Sequence, residues 1–217
     1  MTLEEAIAKI KPLDHNAMEI AQKRWDSIAK PLHSLGKLET LLIQIAGITG
    51  NAEVDLSRRG LIVMCADNGV VEEGVTQTGQ EVTAIVAENF LKYDTSVGVM
   101  CKQNHAEIFP VDMGMVTDTK VRTDHKIAYG TQNMTKGPAM TREQAVKGLE
   151  AGIDMVRELN DKGYRILATG EMGIGNTTTS SAVASVLLKQ PVEEMTGRGA
   201  GPVSYTHLRA HETLSDL

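Results

Sequence analysis

The sequence predicts an α/β protein with a parallel sheet that is flanked by helices and preceded by a helical segment. Short apolar runs alternate with stretches of helical periodicity, which is the order of elements in βαβ units. The apolar run at residues 61–66 is continuous rather than alternating, as in a strand buried on both faces of a parallel sheet. We therefore expect a helical segment over residues 1–50 and an α/β domain over residues 51–201.

Two helices are predicted in the N-terminal segment. Asp14 can cap the first helix, and Pro31 would end it. The apolar residues of this helix recur at helical spacing and are Ala17, Ala21, Trp25 and Ile28. Ser34 is the predicted cap of the second helix, which Gly47 and Gly50 would close. The apolar stripe of the second helix consists of Leu38, Leu41, Leu42 and Ile45.

Strands and helices alternate in the rest of the chain. The predicted elements are, in order, a strand at 61–66, helices at 83–91 and 95–103, a strand at 106–112, a long helix from 141 to 162, a strand at 164–169 and a helix at 177–188. Pro110 cannot donate a hydrogen bond to a neighbouring strand, so it favours an edge or a strand end for the second strand. Thr141 and Gln144 have the spacing of a capping box, and Gly163 would stop the long helix.

Composition narrows the classes of partner. The chain has 217 residues, a net charge of −6 and only 3% aromatic residues, whereas a nucleic-acid surface needs basic residues and often aromatic ones. No apolar stretch is long enough to span a bilayer and no secretory leader is present, so we expect a cytoplasmic protein. Cys65 and Cys101 have no metal-site or disulfide spacing, so we expect two reduced structural thiols and no metal or other cofactor.

A glycine-rich segment at residues 169–180 (TGEMGIGNTTTS) carries the strongest functional signal. It follows a predicted strand and precedes a predicted helix. Glycines allow a tight turn and a close approach of the backbone to a ligand, and the free N–H groups of a first helical turn favour an anion. A phosphate is the expected ligand. The alternative is a tight strand-to-helix turn that binds nothing.

Two known phosphate loops do not fit this segment. Gly170 and Gly175 have P-loop spacing, but Asn176 stands where that loop requires a lysine. Gly173 and Gly175 begin a dinucleotide fingerprint, but Thr178 occupies the position of its third glycine. A single phosphate therefore suits the segment better than a triphosphate or a dinucleotide.

Carboxylate and polar residues near the predicted strand ends are further candidates. Glu171 would repel a bound phosphate unless it faced a ribose hydroxyl or a protonated heterocycle, and it could equally be an outward-pointing surface residue. Asp67, Asn68 and Thr78 follow the first strand and would share a crevice with the glycine segment if the two strands are neighbours. The stretch from Asp67 to Gly69 could equally be only a turn.

Four motifs resemble one family, the nicotinate-nucleotide:dimethylbenzimidazole phosphoribosyltransferases. Residues 30–39 (KPLHSLGKLE) resemble its KPxxSLGxLE segment. Residues 63–70 (VMCADNGV) with 73–75 (EGV) resemble its ADHGV…EGV segment. Residues 170–178 (GEMGIGNTT) and 196–201 (TGRGAG) are similar to its GEMGIGNTT and TGRGxG segments. The order and spacing of the motifs agree from about residue 11 to residue 201.

The resemblance implies transfer of a phosphoribosyl group from nicotinate mononucleotide to 5,6-dimethylbenzimidazole, giving α-ribazole 5′-phosphate and nicotinate. It also implies a Rossmann-like sheet, a nucleotide-binding role for residues 51–201, a homodimer and no metal. The residues that would hold the phosphate and ribose are Glu171, Gly173, Gly175, Asn176, Thr177, Gly197 and Gly199. Thr78 falls where the family often has a serine beside the benzimidazole.

The sequence departs from the family pattern at several positions. Asn68 stands at the usual histidine position, and four residues near Thr78 differ from the better-known enzymes, which leaves the identity of the accepted base open: Gln77, Gly79, Gln80 and Val86. The resemblance puts the family's general base, a glutamate, C-terminal to Gly201, beyond the matching segments. We therefore expect no catalytic residue among these 217, an α/β domain that is incomplete at its C-terminus, and no turnover above background.

Residues 202–217 do not continue the alternation and resemble translated vector sequence, so we predict a non-native tail. His207 and His211 are four apart in this tail, and we interpret the spacing as chance rather than as a metal site. The alternative to the transferase is a non-catalytic α/β module that binds a nucleotide or a phosphate.

Overall fold

The structure is a computed structural model that describes residues 1–197 and residue 199. The chain divides into two compact units, of which the first is Met1–Arg58 and the second begins at Arg59. The predicted tail at 202–217, with His207 and His211, lies outside the described residues. The domain bounds given above stay predictions.

The N-terminal unit contains three helices: α1 (Leu3–Ala8), α2 (His15–Ser27) and α3 (Lys37–Thr49). Asp14 caps α2 as predicted, because its Oδ1 atom accepts a hydrogen bond from the backbone N–H of Ala17 at 2.9 Å. The helix ends at Ser27, several residues before Pro31. The small residues Ala17 and Ala21 are buried.

The start of α3 corrects the predicted cap. Gly36, not Ser34, is the N-cap residue, and its φ of 54° is one that glycine adopts at low cost. The predicted apolar stripe is partly wrong as well, because Leu38 and Leu41 are 52% and 54% exposed. Glu39 is buried instead, where its Oε1 atom lies 2.8 Å from Lys30 Nζ. This ion pair fixes which face of α3 turns inward.

The second unit contains the predicted parallel sheet, with strands β1 (Arg59–Ala66), β2 (Ala106–Gly114) and β3 (Ile166–Met172). The strand order is β2-β1-β3. The central position of β1 explains its continuous apolar run, since both of its faces are covered. Pro110 lies on β2, at the outside of this order, where a missing donor is tolerated.

The described part of this unit contains the helices α4 (Glu81–Lys92), α5 (Ser96–Gln103), α6 (Arg142–Asp161), α7 (Asn176–Leu188) and α8 (Val192–Met195). A short 3-10 helix, Gly69–Glu73, follows β1. The capping box of Thr141 and Gln144 is present at the start of α6, as predicted. Thr95 caps α5.

Two groups of buried side chains cover the two faces of the sheet. One contains Leu61, Val63, Cys65, Ala87, Phe90, Cys101, Met115 and Val121. The other contains Ile62, Val111, Met155, Leu159 and Tyr164. Both cysteines are free and buried, and burial raises the pKa of the Cys65 thiol to about 12. The Cys65 thiol therefore stays protonated and poorly reactive at neutral pH.

Within residues 1–197 and 199, no group of three or more His, Cys, Asp or Glu side chains is placed to hold a metal ion. In the part of the chain that the structure describes, none of the helices combines the length and the apolar character that crossing a membrane requires.

Candidate functional site

The strand order creates a crevice at the carboxyl end of the sheet. From β1 the chain crosses to β2 on one side, and it later returns to β3 on the other side of β1. The connections that follow β1 and β3 leave neighbouring strands at the same edge, and ligands of open parallel sheets bind beyond the carboxyl ends of the strands. The glycine segment follows β3 and the Asp67–Gly69 stretch follows β1, so both candidates lie at this edge.

The two candidate segments are joined by a direct hydrogen bond. Asn68 Nδ2 donates to the carbonyl oxygen of Ile174, in the glycine turn, at 3.0 Å. The N–H group of Ile174 donates to the Thr83 hydroxyl at 3.1 Å. The adjacency that the sequence left open is therefore present.

Two glycines allow the turn between β3 and α7. A Cβ atom at Gly173 would overlap the carbonyl oxygen of Ala66, so the turn can pass β1 this closely only without a side chain. Gly175 is the N-cap residue of α7 and has a φ of 88°, which L-residues rarely adopt. Both glycines are buried.

The first turn of α7 has free donors. Among the described residues, no side chain caps this helix. Asn176 N–H donates to the Gly173 carbonyl and Thr178 N–H to the Gly175 carbonyl, but in the described part of the chain the N–H groups of Gly175 and Thr177 donate to no acceptor. Uncapped N–H groups and the positive end of the helix dipole together favour an anion at this position.

The structure corrects the predicted place of Glu171. This residue lies on β3, paired with Met64 of β1, and not in the turn, because pairing with β1 extends the strand to Met172. Its carboxylate accepts a hydrogen bond from the side-chain amide of Asn176, at the start of α7. The side chain keeps contact with solvent, but partial desolvation raises the pKa of the carboxyl group and the bond from Asn176 opposes that shift.

Gly199 brings the later glycine motif to the same place. It has a φ of 58°, and a Cβ atom there would lie 2.9 Å from the Thr177 hydroxyl. Gly197 has open space within 4 Å of its own Cβ position. Gly199 therefore lies beside the first turn of α7.

A comparison with known protein families identifies the family of this chain. A family model described as phosphoribosyltransferase matches residues 10–212 of the chain. The chain belongs to this phosphoribosyltransferase family.

Relatives and solved structures agree with this assignment. The nicotinate-nucleotide–dimethylbenzimidazole phosphoribosyltransferase of Ruminiclostridium cellulolyticum is 51% identical over 203 residues, covering 93% of this chain and 58% of the relative. The enzyme of that name from Clostridium tetani is 46% identical over 201 residues, covering 92% and 56%. The crystal structure of CobT from Thermus thermophilus has a TM-score of 0.85 and 34% identity, covering 93% of this chain and 61% of that one. The chain thus spans less than two thirds of the length of these relatives.

The other predicted site residues, Asp67 and Thr78, do not contact the glycine turn in the same way as Asn68. Asp67 is fully buried, and its Oδ2 atom accepts a hydrogen bond from the N–H group of Val116, which follows β2. Thr78 is exposed, and its carbonyl accepts a bond from the Thr76 hydroxyl at 2.8 Å. No hydrogen bond among the described residues joins Thr78 to the glycine turn.

Two further residues at the site were not predicted to belong to it, although Gln80 was noted above as a departure from the family pattern. Gln80 Nε2 donates to the Asn68 carbonyl at 3.1 Å, and Thr83 accepts the bond from Ile174 described above. Thr83 is fully buried on the first turn of α4. The contact of Thr83 with the glycine turn joins residues 91 positions apart, so no local pattern in the sequence indicated it.

A polar cavity of about 380 Å³ lies on the β2 side of the same edge. Its lining includes Gln80, Tyr129, Thr131 and Asn133. The bond from Gln80 to Asn68 connects its wall to the residues around the glycine turn.

Proposed function

We propose that the chain forms the nucleotide-binding part of a nicotinate-nucleotide:dimethylbenzimidazole phosphoribosyltransferase. The reaction transfers a phosphoribosyl group from nicotinate mononucleotide to 5,6-dimethylbenzimidazole, giving α-ribazole 5′-phosphate and nicotinate in cobalamin biosynthesis. The observation that carries the proposal is the uncapped start of α7 at the carboxyl end of the sheet, where the Gly175 and Thr177 N–H groups donate to no acceptor among the described residues. The names of the relatives support the identity of the nucleotide.

The proposed roles follow the positions of the residues. Gly173, Gly175, Asn176 and Thr177 would hold the 5′-phosphate through backbone N–H groups and the threonine hydroxyl. Glu171, Gly197 and Gly199 would contact the ribose, since a carboxylate is a strong acceptor for sugar hydroxyls. Thr78 is proposed for the base pocket on the resemblance alone. Asp67 and Asn68 would form the β1 side of the site.

In the proposed reaction a ring nitrogen of the benzimidazole attacks the anomeric carbon as nicotinate leaves, and a general base takes the proton from the other ring nitrogen. The described residues would supply binding and orientation, which lower the barrier by fixing the anomeric carbon relative to the incoming nitrogen. We do not assign the general base to Glu171. A homodimer, a cytoplasmic location and the lack of turnover by these 217 residues stay predictions.

Calorimetric titration of the chain tests the proposal. We expect nicotinate mononucleotide to bind, nicotinate riboside to bind at least about tenfold more weakly because it lacks the phosphate, and ATP and NAD to give no saturable heat. Equal affinities for ATP, NAD and the mononucleotide would favour the non-catalytic nucleotide-binding module instead. No binding of nicotinate mononucleotide would contradict the proposal.

Replacing Glu171 with glutamine should separate phosphate binding from nucleotide binding. Removing a negative charge beside the turn should strengthen binding of inorganic phosphate several-fold at neutral pH, by roughly 1 kcal/mol of relieved repulsion. The affinity for nicotinate mononucleotide should rise less than the affinity for phosphate, or fall, because the ribose loses a charged acceptor. Parallel titrations of both ligands measure this difference, and equal gains for both would argue against a ribose contact.

The Glu171→Gln variant should also change how thermal stability depends on pH. Because the folded-state pKa of Glu171 is raised, its contribution to stability is greatest below the unfolded value and is lost as pH rises through the folded value. Glu171→Gln should therefore flatten the dependence of Tm on pH above about 4.5. An unchanged slope in thermal melts between acid and neutral pH would contradict the partial desolvation of this carboxylate.

A further inference from the structure

We infer that Asn68 and Thr83 are positioning residues that hold the Ile174 peptide groups from both sides and so orient the free donors of the α7 start. This inference rests on the proposed function, because it assigns to these two side chains a part in holding the nucleotide's phosphate. Neither residue is proposed to touch the ligand.

Ile174 lies between the two glycines of the turn, and both of its backbone polar groups are bound by side chains from other elements. Its carbonyl oxygen accepts from Asn68 Nδ2 at 3.0 Å, and its N–H group donates to Thr83 Oγ1 at 3.1 Å. Asn68 follows β1, whereas Thr83 is on α4. The turn after β3 is thus tied to two other parts of the domain at one residue.

The surroundings of Asn68 and Thr83 favour a fixed geometry for both side chains. Thr83 is fully buried, so an unpaired hydroxyl or an unpaired Ile174 N–H group there would carry a desolvation cost. Asn68 is itself held, because its carbonyl accepts from Gln80 Nε2 at 3.1 Å. Its Nδ2 atom also lies 2.9 Å from the position that a Cβ at Gly173 would take.

The bonds that hold Ile174 matter because a glycine precedes this residue and another follows it. Gly173 and Gly175 have the largest backbone freedom of any residue type, so a turn of this composition does not hold one orientation by itself. The Gly175 N–H group belongs to the peptide unit that carries the Ile174 carbonyl, so the Asn68 bond to that oxygen sets the direction of this donor. A preorganised donor binds its anion without a further cost of ordering.

The test compares variants of the whole 217-residue chain by calorimetric titration with nicotinate mononucleotide. Asn68→Ala and Thr83→Val should each weaken binding roughly tenfold, the upper range for one hydrogen bond. Thr83→Ser keeps the hydroxyl and should bind within about twofold of the unchanged chain. The affinity of the double variant should fall by a smaller factor than the product of the two single-variant factors, since both bonds act on one residue.

Asn68→Asp adds a readout that a general loss of stability would not produce. A carboxylate cannot donate to the Ile174 carbonyl, whereas the protonated acid can. Affinity relative to the unchanged chain at the same pH should therefore recover as pH falls through the pKa of the introduced carboxyl group. A pH-independent ratio would overturn the inference for Asn68.

Thr131→Val is the matched control. The Thr131 hydroxyl accepts a backbone hydrogen bond from Gly69 at 3.1 Å at the same edge of the sheet, but not from the glycine turn. This variant should bind nicotinate mononucleotide within about twofold of the unchanged chain. Equal losses in Thr131→Val and Thr83→Val, or no loss in Thr83→Val, would overturn the inference.

Hydrogen exchange without ligand separates this inference from the proposed function. The Ile174 amide should exchange slowly in the unchanged chain and at least about tenfold faster in Thr83→Val. If nicotinate mononucleotide does not bind the unchanged chain, the proposed function fails. The exchange data then test only whether Thr83 holds the Ile174 N–H group. Equal exchange rates in the unchanged chain and in Thr83→Val would overturn the inference.

Discussion

Replacing Gly173 with alanine is expected to weaken nicotinate mononucleotide binding by about a hundredfold, because backbone donors displaced by about 1 Å no longer reach the phosphate. The new Cβ would overlap the carbonyl oxygen of Ala66, which is backbone of the central strand and cannot move without disturbing the sheet. The turn must therefore shift, and the Asn68 amide and the Glu171 carboxylate would be displaced as well, since each lies 2.9 Å from the Cβ position. Calorimetric titration measures the loss.

Gly152→Ala is the control for this change. Gly152 lies within α6, and a Cβ atom there would meet nothing within 4 Å. We expect unchanged binding and a gain in the free energy of unfolding of about 0.5–1 kcal/mol, as for a glycine in a helix interior. If Gly173→Ala bound the mononucleotide as tightly as Gly152→Ala, the close approach of the turn to β1 would not matter for the ligand.

Replacing Lys126 with methionine should give the largest loss of stability. Lys126 Nζ lies 3.1 Å from Oδ2 of Asp112, which is fully buried at the end of β2. Without the lysine the Asp112 carboxylate keeps the bond that its Oδ1 atom accepts from the Met115 N–H group at 2.7 Å but loses its cation, and breaking a buried ion pair in this way costs about 3 kcal/mol. For a chain of this size that corresponds to a fall in Tm on the order of 10 °C. Calorimetric or denaturant unfolding measures the difference.

Lys120→Met provides the matched control, because Lys120 is an exposed lysine in the same segment. Its stability should change by less than about 0.5 kcal/mol. Lys126 also lies 3.8 Å from the ring centroid of Tyr129, on the wall of the polar cavity. Desolvation lowers the pKa of Lys126, but Asp118 and Asp112 together outweigh it, so the pKa is raised. The contribution of Lys126 to stability is therefore present below pH 10.5 and is lost as pH rises through the folded-state pKa. Equal stability of the two variants would contradict a structural ion pair at Asp112.

Local signals predicted the elements whose ends are set by neighbouring residues in sequence. Asp14 and the pair Thr141 and Gln144 cap helices as expected, because a cap involves only a few consecutive residues. The continuous apolar run of β1 predicted a central strand for a similar reason, since burial on both faces leaves a pattern in the run itself.

Elements whose limits depend on distant residues were not predictable in this way. Ser34 has cap chemistry, but Gly36, with its positive φ, is the N-cap residue of α3, and Glu39 in the first turn pairs with Lys30. The strand β3 continues through Gly170 and Glu171 because Val63 and Met64 of β1 pair with them. The place of Glu171 therefore follows from strand pairing, which a single-sequence pattern does not contain.

The same distinction applies to the candidate site. The glycine turn could be recognised from its composition between a strand and a helix. The contacts of Asn68 and Thr83 with Ile174 could not, because they join residues 106 and 91 positions apart. Such contacts appear only when the order of the strands is known.

The most direct test of the central claim is a crystal structure of the chain with nicotinate mononucleotide. We expect the 5′-phosphate at about 3 Å from the Gly175 and Thr177 nitrogens, at the start of α7. A phosphate bound elsewhere, such as in the cavity lined by Tyr129 and Asn133, with the α7 start making no contact to the ligand, would contradict it.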